Sequence, residues 1–239
     1  YGDALALEIF EGLEKVVSRN ARAGMTALET MTGGSDVGVD AAAQEVGPDT
    51  VAKFLMTSGS TSHPKAVVTT QRMMCANQAQ LLDALPFLGE KPPRIVDWLP
   101  WNHVFGGSHN FNMMLANGGA LYVDGGKPTP ALIGKSIENN RLIGGTLAFN
   151  VPVGFAQMCE AMKADAELRQ RYFEELDMVF YAGASLPQDV WDDLETMARE
   201  VRGEVPLMIS SWGLTETGPA CLIQHEPTER SGIVGVPMT

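Results

Sequence analysis

The sequence predicts an α/β fold: a mainly parallel sheet flanked by helices. Three observations predict it. From Val51 onward, short apolar runs alternate with helical stretches. Those stretches are long enough to act as crossovers between parallel strands. The loops richest in Gly, Ser and Thr follow the apolar runs, where open α/β sheets place their ligands.

Taken in order, Leu5, Ile9, Leu13 and Val16/Val17 recur at helical spacing and predict an amphipathic helix over about Asp3–Arg19. Thr32–Asp49, rich in Gly, Asp and Ala, reads as a connector. The expected division is therefore 1–48 as N-terminal helix and connector, and 49–239 as the α/β core. Within the core, strands are expected at Lys53–Met56, Arg94–Leu99, Ala120–Val123, Gly145–Phe149, Met178–Tyr181 and Pro206–Ile209. Helices are expected at Thr70–Leu85, Gly107–Ala116, Pro130–Asn139, Val153–Lys163, Ala166–Leu176 and Pro187–Arg202.

Composition narrows the function classes. Hydrophobic residues make up 45% of the 239 and charged residues 19%, enough for a sizeable core. The net charge of −12 argues against nucleic acid or an anionic membrane surface as partner. A polyphosphate site in such a chain must rely on local donors and a metal ion. Three cysteines at wide spacing, with no CxxC, argue against a disulfide framework or structural zinc and fit a reduced, cytoplasmic setting. No apolar run reaches membrane-span length. Tyr1 opens in mid-pattern and Gly235–Thr239 stops as if entering another strand, so the chain reads as a piece of a longer protein.

Two loops carry chemistry. Thr57–Lys65 reads TSGSTSHPK. Its hydroxyls and Gly59 let backbone N–H groups crowd around phosphate oxygens, Lys65 adds charge, and the expected following helix points its N-terminus at the loop. It is not a Walker A loop, because GxxxxGK[ST] is absent. Ser210–Gly218 reads SSWGLTETG. Trp212 offers a flat face for a base, Gly213 permits close approach, Thr215 can donate to a phosphate, and Glu216 can hold a divalent cation. Alone, the first is an ordinary surface loop and the second a helix cap. His63, His109 and His225 lack metal-ligand spacing. Asp189, Asp192, Asp193 and Glu195 read as a solvated helix face. No GxSxG is present to anchor a serine hydrolase.

Together, TSGSTSHPK, LPWNHVFG (Leu99–Gly106), YAGASLP (Tyr181–Pro187) and SSWGLTETG resemble, in order and spacing, the motifs of the adenylate-forming enzymes. That superfamily includes acyl- and aryl-CoA synthetases, adenylation domains of peptide synthetases and beetle luciferases. The resemblance covers about 49–237. The stretches GPDTVAKFLMTSGST, TTQRMMCANQ, VDWLPWNHVFGG and FNVPVGF are most similar to feruloyl-CoA synthetases.

The resemblance implies roles. Thr57, Ser58, Gly59, Ser60, Thr61 and Lys65 would hold the β- and γ-phosphates. Gly183, Ala184 and Ser185 would border the adenine, with Trp212 stacking on it beside Gly213. Thr215 would contact the α-phosphate, and Glu216 would bind Mg²⁺ with help from Thr57. His103 matches the position bordering the carboxylate and the thiol tunnel, which makes His103, Thr215 and Glu216 the catalytic candidates. Asn150 and Phe155 are candidate walls of the acyl pocket. The implied reactants are ATP, a small-molecule carboxylic acid and coenzyme A. The family usually has Gly where this chain has Ser62 and Ala66, and Tyr where it has Trp212. The Asp-bearing ribose motif and the C-terminal lid domain of the family are not in the sequence, so the isolated chain is expected to turn over slowly or not at all. Two alternatives stay open: an adenylation domain loading a carrier protein, and a nucleotide-binding module without catalysis.

Overall fold

The structure is a computed structural model that describes residues 12, 14–18, 20–34, 37–57 and 65–239. It divides into two compact units, Tyr1–Gly47 and Pro48–Thr239.

In the first unit β1 (Val16–Val17) pairs in parallel with β2 (Thr26–Ala27). The helix expected over Asp3–Arg19 is thus not continued at Val16–Val17; the β-branched pair takes the extended form it favours. The rest of that expected helix falls largely on 3–11, 13 and 19, outside the described residues. The expected connector contains a short helix, α1 (Val39–Gln44), built on the Ala41–Ala43 run.

The second unit is an α/β assembly with mainly parallel pairing among its central strands. β7 (Leu147–Asn150), β8 (Met178–Tyr181) and β9 (Leu207–Gly213) run parallel in that order. β5 (Arg94–Asp97) and β6 (Ala120–Val123) form a second parallel pair. Thr146 joins the two sheets: the Arg94 N–H donates to its hydroxyl at 2.9 Å, and its own N–H donates to the Arg94 carbonyl at 2.9 Å.

All four residues of β8 are buried, as a strand covered on both faces requires. Val179 and Tyr181 face a layer made by α5 (Pro152–Ala164), α6 (Ala166–Phe173) and α7 (Gln188–Arg202), with Phe155, Phe173, Trp191 and Leu194 at its centre. Met178 and Phe180 face the opposite layer, which holds Leu81 of α2 (Gln71–Ala84) and Met113 of α3 (Phe111–Ala116). On α7, Val190, Trp191, Leu194, Met197 and Ala198 form the buried stripe of a 3.6-residue period. Of the acidic residues expected to form its solvated face, Asp193 pairs with Lys163 at 2.7 Å and Glu195 accepts from the Trp191 indole at 3.0 Å. The remaining helix, α4 (Ile133–Leu142), lies between β6 and β7 in sequence.

Two features depart from the expected order. β3 (Val51–Thr57) pairs antiparallel with β4 (Lys65–Thr70), from Val51↔Thr70 to Thr57↔Lys65. The Ser/Thr/Gly loop therefore joins two strands of a hairpin rather than a strand and a helix. α2 begins only at Gln71, where the Thr70 hydroxyl caps it by accepting from the Met73 N–H. Six strand residues separate that N-terminus from Lys65, about 20 Å along β4, so the helix does not follow the loop directly. Second, β9 runs on to Gly213 and is followed by β10 (Ala220–Ile223), antiparallel to it, and by β11 (Val236–Pro237).

Candidate active site

A cavity of about 410 Å³ opens at the carboxyl ends of β8 and β9. Its lining comes from five segments of the sequence: His103–Phe105 with His109, Phe180–Ser185, Ser210–Gly213, Pro219 with Ala220, and Gly232 with Val234. Three of the motif loops meet here.

One side of the cavity is mostly backbone. Gly183 follows β8 with φ +88°, a left-handed turn that favours glycine, and Ala184 and Ser185 are exposed beside it. Trp212 is 46% exposed, leaving a free ring face. A Cβ on Gly213 would run into the carbonyl of Pro219 on the neighbouring strand connection, so only glycine fits there. Gly232 is held in place because its N–H donates to the Tyr181 hydroxyl at 3.0 Å, and the Ser231 N–H donates to Gln188 Oε1 at 3.2 Å.

The other side is made of rings. After β5, the chain turns through Pro100–Asn102 and enters a π-helical turn, Val104–Asn110, that leads directly into α3. π-turns of this kind are rare and concentrate at functional sites. The turn packs tightly on the preceding loop: a Cβ at Gly106 would lie 2.6 Å from the Pro100 carbonyl oxygen, and one at Gly107 would strike the Trp101 carbonyl. The Gly106-Gly107 pair is thus a requirement of the backbone path.

His103 caps this turn. It is exposed at the cavity, and its Nδ1 accepts from the Phe105 N–H at 3.2 Å. A backbone N–H can only donate, so the neutral ring carries its proton on Nε2 and presents a donor.

His109, by contrast, is 1% exposed, and its Nδ1 lies 2.9 Å from Asn110 Oδ1. Asn110 Nδ2 donates to Asp97 Oδ2 at 3.0 Å, and the Leu99 N–H donates to Asp97 Oδ1 at 3.0 Å. Burial pushes the Asp97 carboxyl up to about 6, with the Asp124 charge adding to it against the lowering effect of the two hydrogen bonds. Burial likewise pushes the His109 imidazole down to about 4, opposed by its bond to Asn110. The ring sits among Phe105, Phe149 and Phe180, at centroid distances of 5.6, 5.5 and 5.0 Å.

Of the residues expected from sequence, His103, Gly183, Ala184, Ser185, Trp212 and Gly213 line this one cavity. Thr215 and Glu216 sit just beyond it on the short 3₁₀ turn Thr215–Thr217, with Glu216 exposed, and that turn contacts β4. Thr57 and Lys65 face each other across the base of the hairpin, where the Thr57 hydroxyl donates to the Lys65 carbonyl at 3.4 Å. Ser58, Gly59, Ser60 and Thr61 lie outside the described residues.

Asn150 and Phe155 are elsewhere. Asn150 Oδ1 accepts from the Trp98 indole at 3.1 Å and from the Val151 N–H at 2.9 Å, which fixes the end of β7. Phe155 is fully buried in the helix-side core. Neither lines the cavity. Sequence reasoning missed Phe105, His109 and Phe180 as lining residues. The spacing of His109 six residues after His103 was visible, but a π-turn, not an α-helical face, brings both rings to the same place.

Comparisons with known proteins bear on the family and the fold. The family model for AMP-binding enzymes matches residues 6–239. Comparison with curated protein sequences finds no match. A malonyl-CoA ligase solved with methylmalonyl-CoA and AMP bound shares 25% identity at a TM-score of 0.63, covering 81% of this chain and 39% of its own. An adenylation domain of a keto acid-selecting peptide synthetase module, bound to a keto acyl adenylate, has 16% identity and a TM-score of 0.61, covering 76% of this chain and 32% of its own. ATP-bound MatB from Rhodopseudomonas palustris has 20% identity and a TM-score of 0.59, covering 81% and 35%. The chain thus spans about two fifths or less of the length of these solved relatives. Among the described residues, no helix is long and apolar enough to cross a membrane. With the family model matching nearly the whole sequence and the fold matching part of these enzymes' large domain, the chain belongs to the AMP-binding, adenylate-forming enzyme family.

Proposed function

We propose that this chain is the ATP-binding core of an acid–thiol ligase that converts an aryl carboxylate to its acyl-AMP and then to the coenzyme A thioester. The observation that carries the proposal is the single cavity between a glycine-lined backbone wall with an exposed Trp212 and a wall of aromatic rings. The first wall suits a flat base approaching main chain; the second suits a flat, apolar acyl group.

A carboxylate is a poor electrophile. Attack of its oxygen on the α-phosphorus of ATP, with departure of pyrophosphate, gives a mixed anhydride with a good leaving group. Negative charge gathers on the phosphate oxygens in the transition state, and donors placed there beforehand stabilise it. His103, with its proton on Nε2, would donate to the carboxylate or phosphate oxygen at the junction of the two walls. Thr215 would bond the α-phosphate. Lys65 with Ser58, Gly59, Ser60 and Thr61 would hold the outer phosphates. A thiol would then displace AMP.

Among the described residues no group of three His, Cys, Asp or Glu side chains stands ready for a metal. Mg²⁺ needs no such cage, because it keeps several waters and binds through one or two carboxylates plus substrate phosphates. The exposed Glu216 fits that donor set, with the Thr57 hydroxyl as a candidate second contact. When bound, Mg²⁺ would supply charge to the phosphate oxygens.

The stretches VDWLPWNHVFGG and FNVPVGF favour a hydroxycinnamate such as ferulate within the aryl class. The experiment is ATP–pyrophosphate exchange by the intact protein over a panel of aliphatic and aromatic acids. Exchange is expected with aromatic acids; exchange confined to short aliphatic acids, or none, overturns the reading. The likeness to a peptide-synthetase adenylation domain supports a second reading, loading of a carrier protein. Under that reading free coenzyme A would not accept the acyl group.

A further inference from the structure

We infer that Asp97 is a positioning residue for His103: its one buried carboxylate ties together the two ends of the segment that carries the histidine. The inference rests on the reading above, in which His103 donates at the junction of the two walls.

The segment starts at Leu99 and ends at Asn110, where the π-turn passes into α3. Asp97, the last residue of β5, reaches both ends. Its Oδ1 accepts from the Leu99 N–H at 3.0 Å, and its Oδ2 accepts from Asn110 Nδ2 at 3.0 Å. A carboxylate can only accept, so Asn110 must show it the amide nitrogen and turn its oxygen toward His109 Nδ1, 2.9 Å away. Asp97 and Asn110 are both buried, and neither lines the cavity.

Between these ends, Trp101, Asn102 and His103 are exposed. Internal bonds shape this middle part. The His103 N–H donates to the Pro100 carbonyl at 3.0 Å, and the Gly107 N–H donates to the His103 carbonyl at 2.9 Å. They fix the local turn, but where the turn stands over the cavity depends on what holds its ends to the sheet. α2 adds a tie from Gln78 Nε2 to the Ser108 carbonyl at 3.0 Å, which reaches only the far half of the segment. Asp97 alone bonds both ends. Burial works against its charge, so a carboxylate here is a poor way to gain stability. It does offer two acceptor oxygens on one planar group, one for each end, which no neutral side chain of that size provides.

The test is pyrophosphate exchange by the intact protein with the acid it uses best, with kcat normalised to ATP-binding sites counted by calorimetry. Asp97→Ala is expected to lower kcat by about 10- to 100-fold while the KM for ATP stays within about threefold, because the nucleotide wall is built on β8 and β9. His103→Ala should cost at least as much. The double variant should stay within about threefold of His103→Ala alone, since residues that act as a unit are not additive. Asn110→Asp sets two carboxylates face to face and should lose about as much as Asp97→Ala. Combining Asp97→Asn with Asn110→Asp puts every donor opposite an acceptor again and should recover kcat to within about threefold of wild type.

Losses from Asp97→Ala and His103→Ala that multiply overturn the inference and leave the ligase reading standing. So does an exchanged pair that binds ATP yet stays as slow as Asn110→Asp. A raised KM for ATP with unchanged kcat in Asp97→Ala overturns it too. Wild-type exchange by His103→Ala overturns the inference together with the role given to His103, and absence of exchange by the wild type overturns it together with the ligase reading. Where Asp97→Ala does not fold, the exchanged pair decides.

Discussion

The two walls of the cavity are built on different principles. Around Gly183–Ser185 and Trp212–Gly213 the surface is mostly main chain and small residues beside one exposed indole, and at Gly213 there is no room for a Cβ. Around Phe105, His109 and Phe180 it is side chain, and its character is set by ring packing and by one hydrogen-bonded chain leading back to Asp97. A wall of backbone suits a reactant that never changes. A wall of side chains can be retuned for a different acid without moving the sheet. Four measurements would break or sharpen that contrast.

The largest effect belongs to the ring wall and is read through pH. His109 has its folded pKa lowered from 6.5 to about 4, so the stability that goes with its neutral burial is full above 6.5 and is lost as pH falls through 4. Asp97 has the opposite sign: raised from 3.8 to about 6, its contribution is present below 3.8 and lost as pH rises through 6. The charged group that bears on the pair is Asp124, which raises Asp97. The wild type should show only a shallow net slope from these two groups between pH 4 and 6. His109→Phe removes one of them. Relative to wild type, it should become more stable by about 3 kcal/mol on going from pH 7 to pH 4. Parallel urea-midpoint curves for the two proteins would show that His109 is not buried as described.

Next is the backbone wall. Gly213→Ala should destabilise by about 2 kcal/mol in urea unfolding, through collision with the Pro219 carbonyl. An unchanged midpoint would mean that the β9–β10 connection yields freely. Trp212→Ala should weaken ATP binding by about 10-fold in calorimetry, the loss of one stacking face, whereas Trp212→Tyr should stay within about threefold. Equal affinity for Trp212→Ala would remove the indole from the nucleotide site. The smallest effect is Gly183→Ala. Open space surrounds a Cβ there, with only a Val151 methyl at 3.9 Å, and φ of +88° leaves a strain of about 1 kcal/mol.

Much of the central sheet was legible. β6 and β8 fall where their apolar runs predict, although only β8 is covered on both faces and β6 is largely exposed. α7 was equally plain from its stripe and from Gly203 at its end, with φ +77°. The hairpin was misread for a physical reason. Lys65–Thr70 carries Val67, Val68, Thr69 and Thr70, a β-branched run that signals a strand, yet the phosphate loop before it invited a helix after it. β10 is only four residues after a Gly-Pro step, too short to show a period. The backbone wall could be anticipated because glycine, serine and tryptophan in fixed order announce themselves. The ring wall could not. Phe180 alternates to its cavity-facing layer only once the pleat of β8 is known, and His109 arrives there through a π-turn that no helical periodicity predicts.

Asn110 acts on this wall as a polarity inverter. One end of its amide answers a carboxylate, so the other end must ask for a proton, and the imidazole beyond it is left with a bare lone pair. The sign of the ring wall is thus written at Asp97, a residue that does not line the cavity. Exchanging that carboxylate for a group that donates would turn the amide about and shift the imidazole proton to its other nitrogen. The polarity of this wall can therefore be rewritten with every lining residue left in place.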